Sequence, residues 1–568
     1  MLTTLDFIRR VVPALAILFA VTGARLQTDF DRIVGYWEGE FMPGNNLTLV
    51  LHFSRGETLK PMGRVLLFQG TAQIQDDPLS KILLKEKQLT FFIEAKSTPF
   101  EGEVDANLGQ IRGHFRFPDG SLQPVLLQKV DKPSVRHPLD APKDVHAKYS
   151  VEQLQEDVRF LREKLGNTHP QLYLYSSKSE LDHSFQEIVT HIKTEMREDA
   201  FFRLLAPAVA RVKCSHTGIR FSEAFLKSLE EVPVLLPIKI RVFGENAYII
   251  DNYCDAEIRP GTEILAINGV SVPEILKQMM VSLPADGGNL SAKRFAINQD
   301  FASMYAHYIE LSDHFRLELL AQDDKHVFLE LPAATLKELT DRSTTSRGGQ
   351  ADALPAHFEI LENSSIGVLT VSAFMARDWQ RFLQLFESSF NTLKTQKTQN
   401  LILDVRGAMG GHPFIASELF SYLVHSDYVY FAKPEERGEL APLYELQEPK
   451  PNRFEGNLYV LMNGGCLSTT GHFLSLVKYH ELGTLVGEAA GGSFYCNDNS
   501  IQLTLPNTGM RVNIPQTTFE TAVRGFKKGA PLLPDYEVKP TLQDILNQFD
   551  AEMAFVQNLI KTRKSNKL

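Results

Sequence analysis

The stretch that most limits the fold is Leu458 to Ser468, LYVLMNGGCLS. Leu458 to Met462 is apolar without a break, so neither face of that run is made for water, and it predicts a strand buried on both sides. Asn463-Gly464-Gly465 ends the strand, because adjacent glycines permit backbone angles that other residues resist. Gly471 to Tyr479 then has helical spacing of apolar residues. Ile366–Val371 and Asn400–Val405 read as strands of the same kind, with a helical run, Asp378–Thr392, between them. Strand and helix in alternation imply an α/β layer.

Ser468 lies where the strand gives way to the helix. Two roles fit that position. Ser is a common helix cap. A hydroxyl on a sharp turn at a helix start is also well placed as a nucleophile, with free N–H groups facing the charge that develops in the reaction. Arg406 to Gly411, RGAMGG, closes the strand at Asn400–Val405 with three glycines. It reads either as a tight turn or as a source of backbone N–H groups for an oxyanion at Gly410 and Gly411.

A chain of 568 residues is too long for one core, so several domains are expected. The formal charge of −10, with no dense basic run, excludes a nucleic-acid-binding surface. Residues 1–24 have the form of a secretory signal: Arg9-Arg10, an apolar core from Val11 to Ala20, then Thr22-Gly23-Ala24. Export to the periplasm or outside the cell is the expectation, with membrane association if the signal is retained. The apolar run is short for a full span, and no later stretch is long and apolar enough. Cys214, Cys254, Cys466 and Cys496 are compatible with disulfides or with buried free thiols.

In chain order, residues 30–131 read as all-β, with strand candidates at Leu47–Phe53, Gly63–Phe68, Leu89–Ile93 and Ile111–Phe117 and a hairpin at Asp119-Gly120. The rhythm, with Gly35 and Trp37 in the first strand, resembles a small lipocalin-like barrel. Residues 132–148 carry Pro133, Pro138 and Pro142 and read as a linker. Residues 149–225 are largely helical. Ser150 and Gln153 have capping-box spacing, Leu154, Val158, Leu161 and Leu165 share a face, and helical runs at Lys178–Met196 and Asp199–Val212 follow. Lys213 to Gly218, KCSHTG, puts His216 in a polar turn; a single His of this kind is a surface group, a structural group or a catalytic base. Residues 230–322 return to β-rich sequence. There Gly261 to Gly269, GTEILAING, followed by a helix from Val272 to Met280, resembles a PDZ domain, which takes up extended peptide at a sheet edge. Leu336 to Leu354 is polar and predicts an exposed loop. Residues 355–565 hold the α/β core, with a hairpin expected at Ile501–Leu505 and Met510–Ile514 and a terminal helix at Leu542–Ile560.

The order of Ser215-His216-Thr217, the PDZ-like segment, LILDVRGAMGG, NGGCLS, GEAAGG and Pro534-Asp535 resembles the tail-specific, or C-terminal processing, serine peptidases, and most closely their tricorn core protease-like branch. The resemblance spans residue 150 to the end and leaves the N-terminal barrel outside. It implies a multidomain α/β and all-β protein: a β-barrel-like domain, a helical cap carrying the catalytic His, a PDZ-like domain and an α/β peptidase core. It implies Ser468 as nucleophile. In the branch with a Ser–Lys pair, a Lys follows the Gly-Glu segment; here Ser493 stands in that place, so that pair is absent. The tricorn-like branch uses a His beside a Ser, which Ser215 and His216 match. Gly410 and Gly411 match the oxyanion turn, with Ala408 and Met409 replacing the usual Asn and Gly. The branch's late Glu falls on Lys528, so another group has to orient the site, and Glu488 and Asp498 are the candidate acidic partners.

These residue types suit peptide-bond hydrolysis: a Ser hydroxyl is a weak nucleophile until a base such as neutral His takes its proton. No cofactor or metal is implied, and the partner is a polypeptide substrate. A rival reading is a catalytically impaired binder of peptide or apolar ligand on the same fold. A further rival makes Lys478 the base, through the Ser475-x-x-Lys478 spacing.

Overall fold

Alternation of apolar and polar residues builds the first unit. The computed structural model describes residues 30–565, apart from 42–46, 56–60, 70–71, 94–97, 106–108, 118–120, 132, 134–143, 145, 321–324, 345–353, 362–364, 376–378 and 433–439. The signal-like segment, most of the linker and the Asp119-Gly120 turn therefore lie outside the described residues.

Eight antiparallel strands, Gly35–Phe41, Leu47–Arg55, Pro61–Gln69, Ala72–Lys85, Gln88–Ile93, Thr98–Asp105, Gln110–Arg116 and Leu122–Val130, form a closed barrel. Pairing of Tyr36 with Val130 closes it. Closure removes the free strand edges that an open sheet would leave. Its interior is filled by side chains. Phe91 stacks on Phe100 at 4.5 Å between ring centres, and Phe53 and Phe115 meet Phe91 edge-on. The Trp37 indole N–H is satisfied by the Ile33 carbonyl at 2.7 Å. Residues 501–511 belong with this unit; Arg511 pairs there with the buried carboxylate of Asp76 at 3.0 Å.

The second unit comprises residues 142–500 and 512–568. Its first helix, Val151–Thr168, begins with the expected reciprocal cap between Ser150 and Gln153 and buries Leu154, Val158, Leu161 and Leu165. Helices Lys178–His191 and Glu198–Ala210 follow. A five-strand antiparallel path, Ile238–Phe243, Asn246–Asn252, Glu263–Ile267, His314–Leu320 and His326–Pro332, comes next. Helices Val272–Ser282, Ser291–Gln299 and Phe301–Tyr308 cover its apolar face. Ile238–Phe243 is an edge strand, and the Asn298 carboxamide holds the Val242 N–H at 2.7 Å and the Val242 carbonyl at 3.3 Å.

The α/β core has six strands in the order Ala356–Ile360, Ile366–Val371, Asn400–Asp404, Asn457–Met462, Gly483–Gly487, Tyr536–Glu537. Only the first pair is antiparallel. Strand alternation explains why the apolar runs have no polar face. Leu401, Leu403, Val460 and Met462 pack with the helices Gln380–Thr395, Pro413–Ser421 and Thr469–Tyr479. Ile402, Tyr459 and Leu461 pack with Val556 and Ile560 of Ala551–Ser565 on the other face.

Two expectations are corrected, and one helix was not anticipated. Leu336–Thr344 is a helix rather than loop, capped at its start by Thr335 and Glu338; its polarity reflects exposure on most sides. The terminal helix is two, Leu542–Leu546 and Ala551–Ser565, broken where Gln548 takes a positive φ of 54°. The helix Pro413–Ser421 was unmarked by periodicity because Ile415, Ala416, Ser417, Leu419, Phe420 and Ser421 bury it on nearly every side. All four cysteines are free thiols.

Candidate active site

Two glycine-bearing turns leave the carboxyl ends of adjacent parallel strands, the usual place for a site in an open α/β sheet. Three contacts stitch them together. The Asn463 side-chain oxygen accepts the N–H of Gly407 at 2.9 Å and of Gly465 at 3.0 Å. The Leu467 N–H donates to the Ala408 carbonyl at 3.3 Å, and the Thr469 hydroxyl donates to the Gly411 carbonyl at 2.6 Å. Cys466, fully buried, anchors the base of the loop through its thiol to the Val405 carbonyl at 3.1 Å.

Ser468 starts the helix Thr469–Tyr479 but does not cap it by its side chain. Its φ is 50° and its ψ −126°, a region that L-residues with a Cβ avoid. Such a conformation costs about 1–3 kcal/mol and persists only where the surroundings impose it. Gly410 lies against this turn: a Cβ on it would come within 2.8 Å of the Ser468 Cβ, and its φ is +110°. Among the described residues, the N–H groups of Gly410 and Gly411 have no hydrogen-bond acceptor. Ala408 is fully buried while Met409 is 63% exposed.

Ser468 and His216 line one cavity of about 830 Å³, together with Gly410, Gly411, His472, Cys496 and Asp498. Ala373, Met375, Pro413, Leu440, Tyr444 and Phe519 supply its apolar wall. His216 is held at both ring nitrogens: Nδ1 is 3.2 Å from the Ser215 hydroxyl and Nε2 is 3.3 Å from Asp498 Oδ2. No hydrogen bond joins His216 to Ser468 among the described residues. Ser468 and Cys496 line the same cavity, and the Cys496 thiol meets His472 Nε2 at 3.4 Å. Burial pushes the Cys496 thiol well above its ordinary value, so it stays protonated. Burial, reinforced by the nearby His216, pushes the His472 imidazole down to about 3, so it is neutral.

The two candidate acids part company. Asp498 reaches His216 directly, whereas Glu488 lines a different cavity beside Arg241. Lys528 pairs with Glu520 at 3.0 Å and lies over the Tyr495 ring. Lys478 does not line the cavity; its ammonium donates to the Leu533 carbonyl at 2.7 Å and pairs with Asp535. Sequence reasoning missed Asp286, which accepts the Ser215 N–H at 2.9 Å and its hydroxyl at 2.8 Å. Its only sequence signal is the turn Asp286-Gly287-Gly288, 70 residues from His216. It also missed His472 and Cys496, which look like ordinary core residues. Among the described residues no cluster of His, Cys, Asp and Glu is arranged to hold a metal.

Residues 365–538 match peptidase family S41. The chain therefore carries a peptidase family S41 domain, that of a serine-type peptidase. The S41 domain contains both glycine turns and Ser468, while His216 and Asp286 lie before it in the chain. Among solved structures, mature CPAF matches with a TM-score of 0.50 and 14% identity, over 70% of this chain and 94% of that one. Mature CPAF complexed with lactacystin matches with a TM-score of 0.51 and 14% identity, over 72% and 97%. The tricorn protease gives a TM-score of 0.35 at 12% identity, over 92% of this chain and 46% of that one. At these identities the CPAF likeness is one of fold. No curated protein sequence matches the chain.

Two outcomes follow from this geometry. Ser468→Gly removes the Cβ that its φ penalises and should raise unfolding stability by about 1 kcal/mol relative to Ser468→Ala, as read by urea unfolding; equal stabilities would mean the turn is unstrained. His472 has a lowered folded pKa, so its contribution is present above about pH 6.5 and is lost as pH falls toward about 3. Between pH 7 and pH 5 this loss should be on the order of 2 kcal/mol, and His472→Gln, neutral throughout, should lose that much less stability over the same interval.

Proposed function

We propose that the chain hydrolyses peptide bonds with Ser468 as nucleophile, His216 as general base and the N–H groups of Gly410 and Gly411 as the oxyanion site. The observation that carries this reading is the strained Ser468, unused as a cap and set against unpartnered glycine N–H groups in a cavity that His216 also lines. A base has to reach the hydroxyl for this chemistry, so His216 Nε2 exchanges Asp498 for Ser468 when substrate fills the cavity. The apolar wall suits a peptide carrying a large apolar side chain beside the scissile bond. The signal-like start of the sequence supports action after export. Among the described residues no helix is long and apolar enough to cross a membrane.

A second reading, a non-catalytic binder on this fold, draws on one observation: in the resting geometry Nε2 faces Asp498 and not Ser468. Fluorophosphonate labelling separates the two. The wild type should label, Ser468→Ala should not, and His216→Ala should label at least roughly 10³-fold more slowly, since such residues act as a unit. Lys478→Ala should keep most of the rate. Absence of wild-type labelling would favour the binder; loss in the lysine variant with retention in a folded His216→Ala would point to a Ser–Lys mechanism.

The sheet from Ile238 to Pro332 takes the PDZ-like part, engaging the extended substrate chain at its edge strand Ile238–Phe243. Asn298 already occupies the Val242 backbone groups there, so an added strand has to displace it. Asn298→Ala should therefore lower KM for a long peptide several-fold while kcat/KM on a small ester stays within about twofold. Equal changes on both substrates would indicate a structural role only.

A further inference from the structure

We propose that Asp286 is the positioning acid of the site, acting on His216 through Ser215; this rests on the assignment of His216 as base. The two nitrogens of His216 have different tasks. The one that takes the Ser468 proton must present a lone pair, and the other must carry hydrogen. Asp498 sits at Nε2, so it competes with Ser468 and cannot also fix Nδ1. Ser215 sits at Nδ1. A Ser hydroxyl has one proton to give, and an ionised carboxylate only accepts. With the Ser215 proton directed to Asp286 Oδ2 at 2.8 Å, the Ser215 oxygen is left to accept from Nδ1–H. That leaves the Nε2 lone pair for Ser468. The carboxylate thus sets the imidazole tautomer and steadies the imidazolium through an intervening hydroxyl.

The carboxylate is held for such a task. Asp286 is 7% exposed and also takes the Ser215 backbone N–H at 2.9 Å. Its loop is tied on two sides. The Gly287 N–H donates to the Lys213 carbonyl at 2.9 Å, in the same turn as Ser215 and His216. The Asn289 carboxamide donates to the carbonyls of Ala490 and Gly491 at 2.8 and 2.9 Å, beside the Ser468 turn. Gly287 itself, at φ +58°, leaves no room for a Cβ, which would lie 2.5 Å from the Gly529 Cα. So one loop fixes the base and braces the nucleophile loop together, which limits the error in their separation. Burial, with the nearby Asp498, holds the Asp286 carboxyl above the ordinary carboxylate range, and the charge of His216 and both Ser215 donors offset only part of that rise. The other titratable groups around it are Asp498, Tyr175, Cys214 and Cys496.

The test uses the full chain, with fluorophosphonate labelling and ester hydrolysis followed across pH. Asp286→Asn should lower kcat roughly 10²-fold with KM within about twofold, and should move the rise of rate with pH to lower pH, because a negative charge near the imidazole is gone. Asp286→Glu should recover part of the rate. Ser215→Ala should cost about as much as Asp286→Asn, and the double variant little more, because the two act in series. A folded Asp286→Asn with wild-type rate and pH profile would overturn the proposal. If that variant does not fold, Ser215→Ala decides: an unchanged rate and profile overturns it equally. Loss of rate in proportion to lost thermal stability, without a change in pH profile, would show a structural role instead. Labelling of Ser468→Ala would defeat the underlying assignment independently of these variants.

Discussion

The side-chain oxygen of Asn463 is the contact on which the site depends. It accepts N–H groups from both glycine turns, and so fixes the distance between the Ser468 loop and the Gly410-Gly411 segment. A nucleophile and an oxyanion site are useful only at a set separation, because an ångström of looseness costs most of the benefit of orientation. The parallel pairing of Asn400–Asp404 with Asn457–Met462 brings the two strand ends level, and Asn463 then acts over a single residue's reach.

From that fixed pair the rest extends in layers. The glycines let the two turns approach until Gly410 touches Ser468, and the same closeness forces Ser468 into its disfavoured backbone angles. Behind the turn, His472 and Cys496 form a wall that is neutral and protonated, respectively, so the cavity gains no charge from that side. In front, His216 is brought in by a turn belonging to the helical segment and held between Ser215 and Asp498. Stability of the sheet and strain at the Ser are linked: the first is what makes the second sustainable.

Much of this was legible in the chain. The unbroken apolar run Leu458–Met462 read as a buried strand and is one, and Ser150 with Gln153 marked a helix start that forms as read. Local pattern left Ser468, His216, Gly410 and Gly411 open between structural and catalytic roles; the ordered motifs of the family resemblance singled them out, and they do line one cavity. What could not be read was whatever depends on contacts distant in sequence. Asp286 and Glu488 are both acids near glycines, and only the folded chain brings the first to Ser215 and sends the second to Arg241. The helix Pro413–Ser421 escaped because a helix buried all round has no polar face to give a period. Leu336–Thr344 escaped for the opposite reason: exposed on most sides, it reads like a loop.

The order of the parts along the chain bears on when the proposed site can form during synthesis. His216 and Asp286 are synthesised long before Ser468, and the strand Tyr536–Glu537 that completes the core sheet comes later still. At ordinary translation speeds, roughly 5–20 residues per second, roughly ten seconds to a minute separate the synthesis of His216 from that of Ser468 and the last strand of the core sheet. Through that interval a growing chain lacks part of the proposed site. With its parts spread over three separated segments, the proposed site can assemble only late in synthesis, by residue order alone.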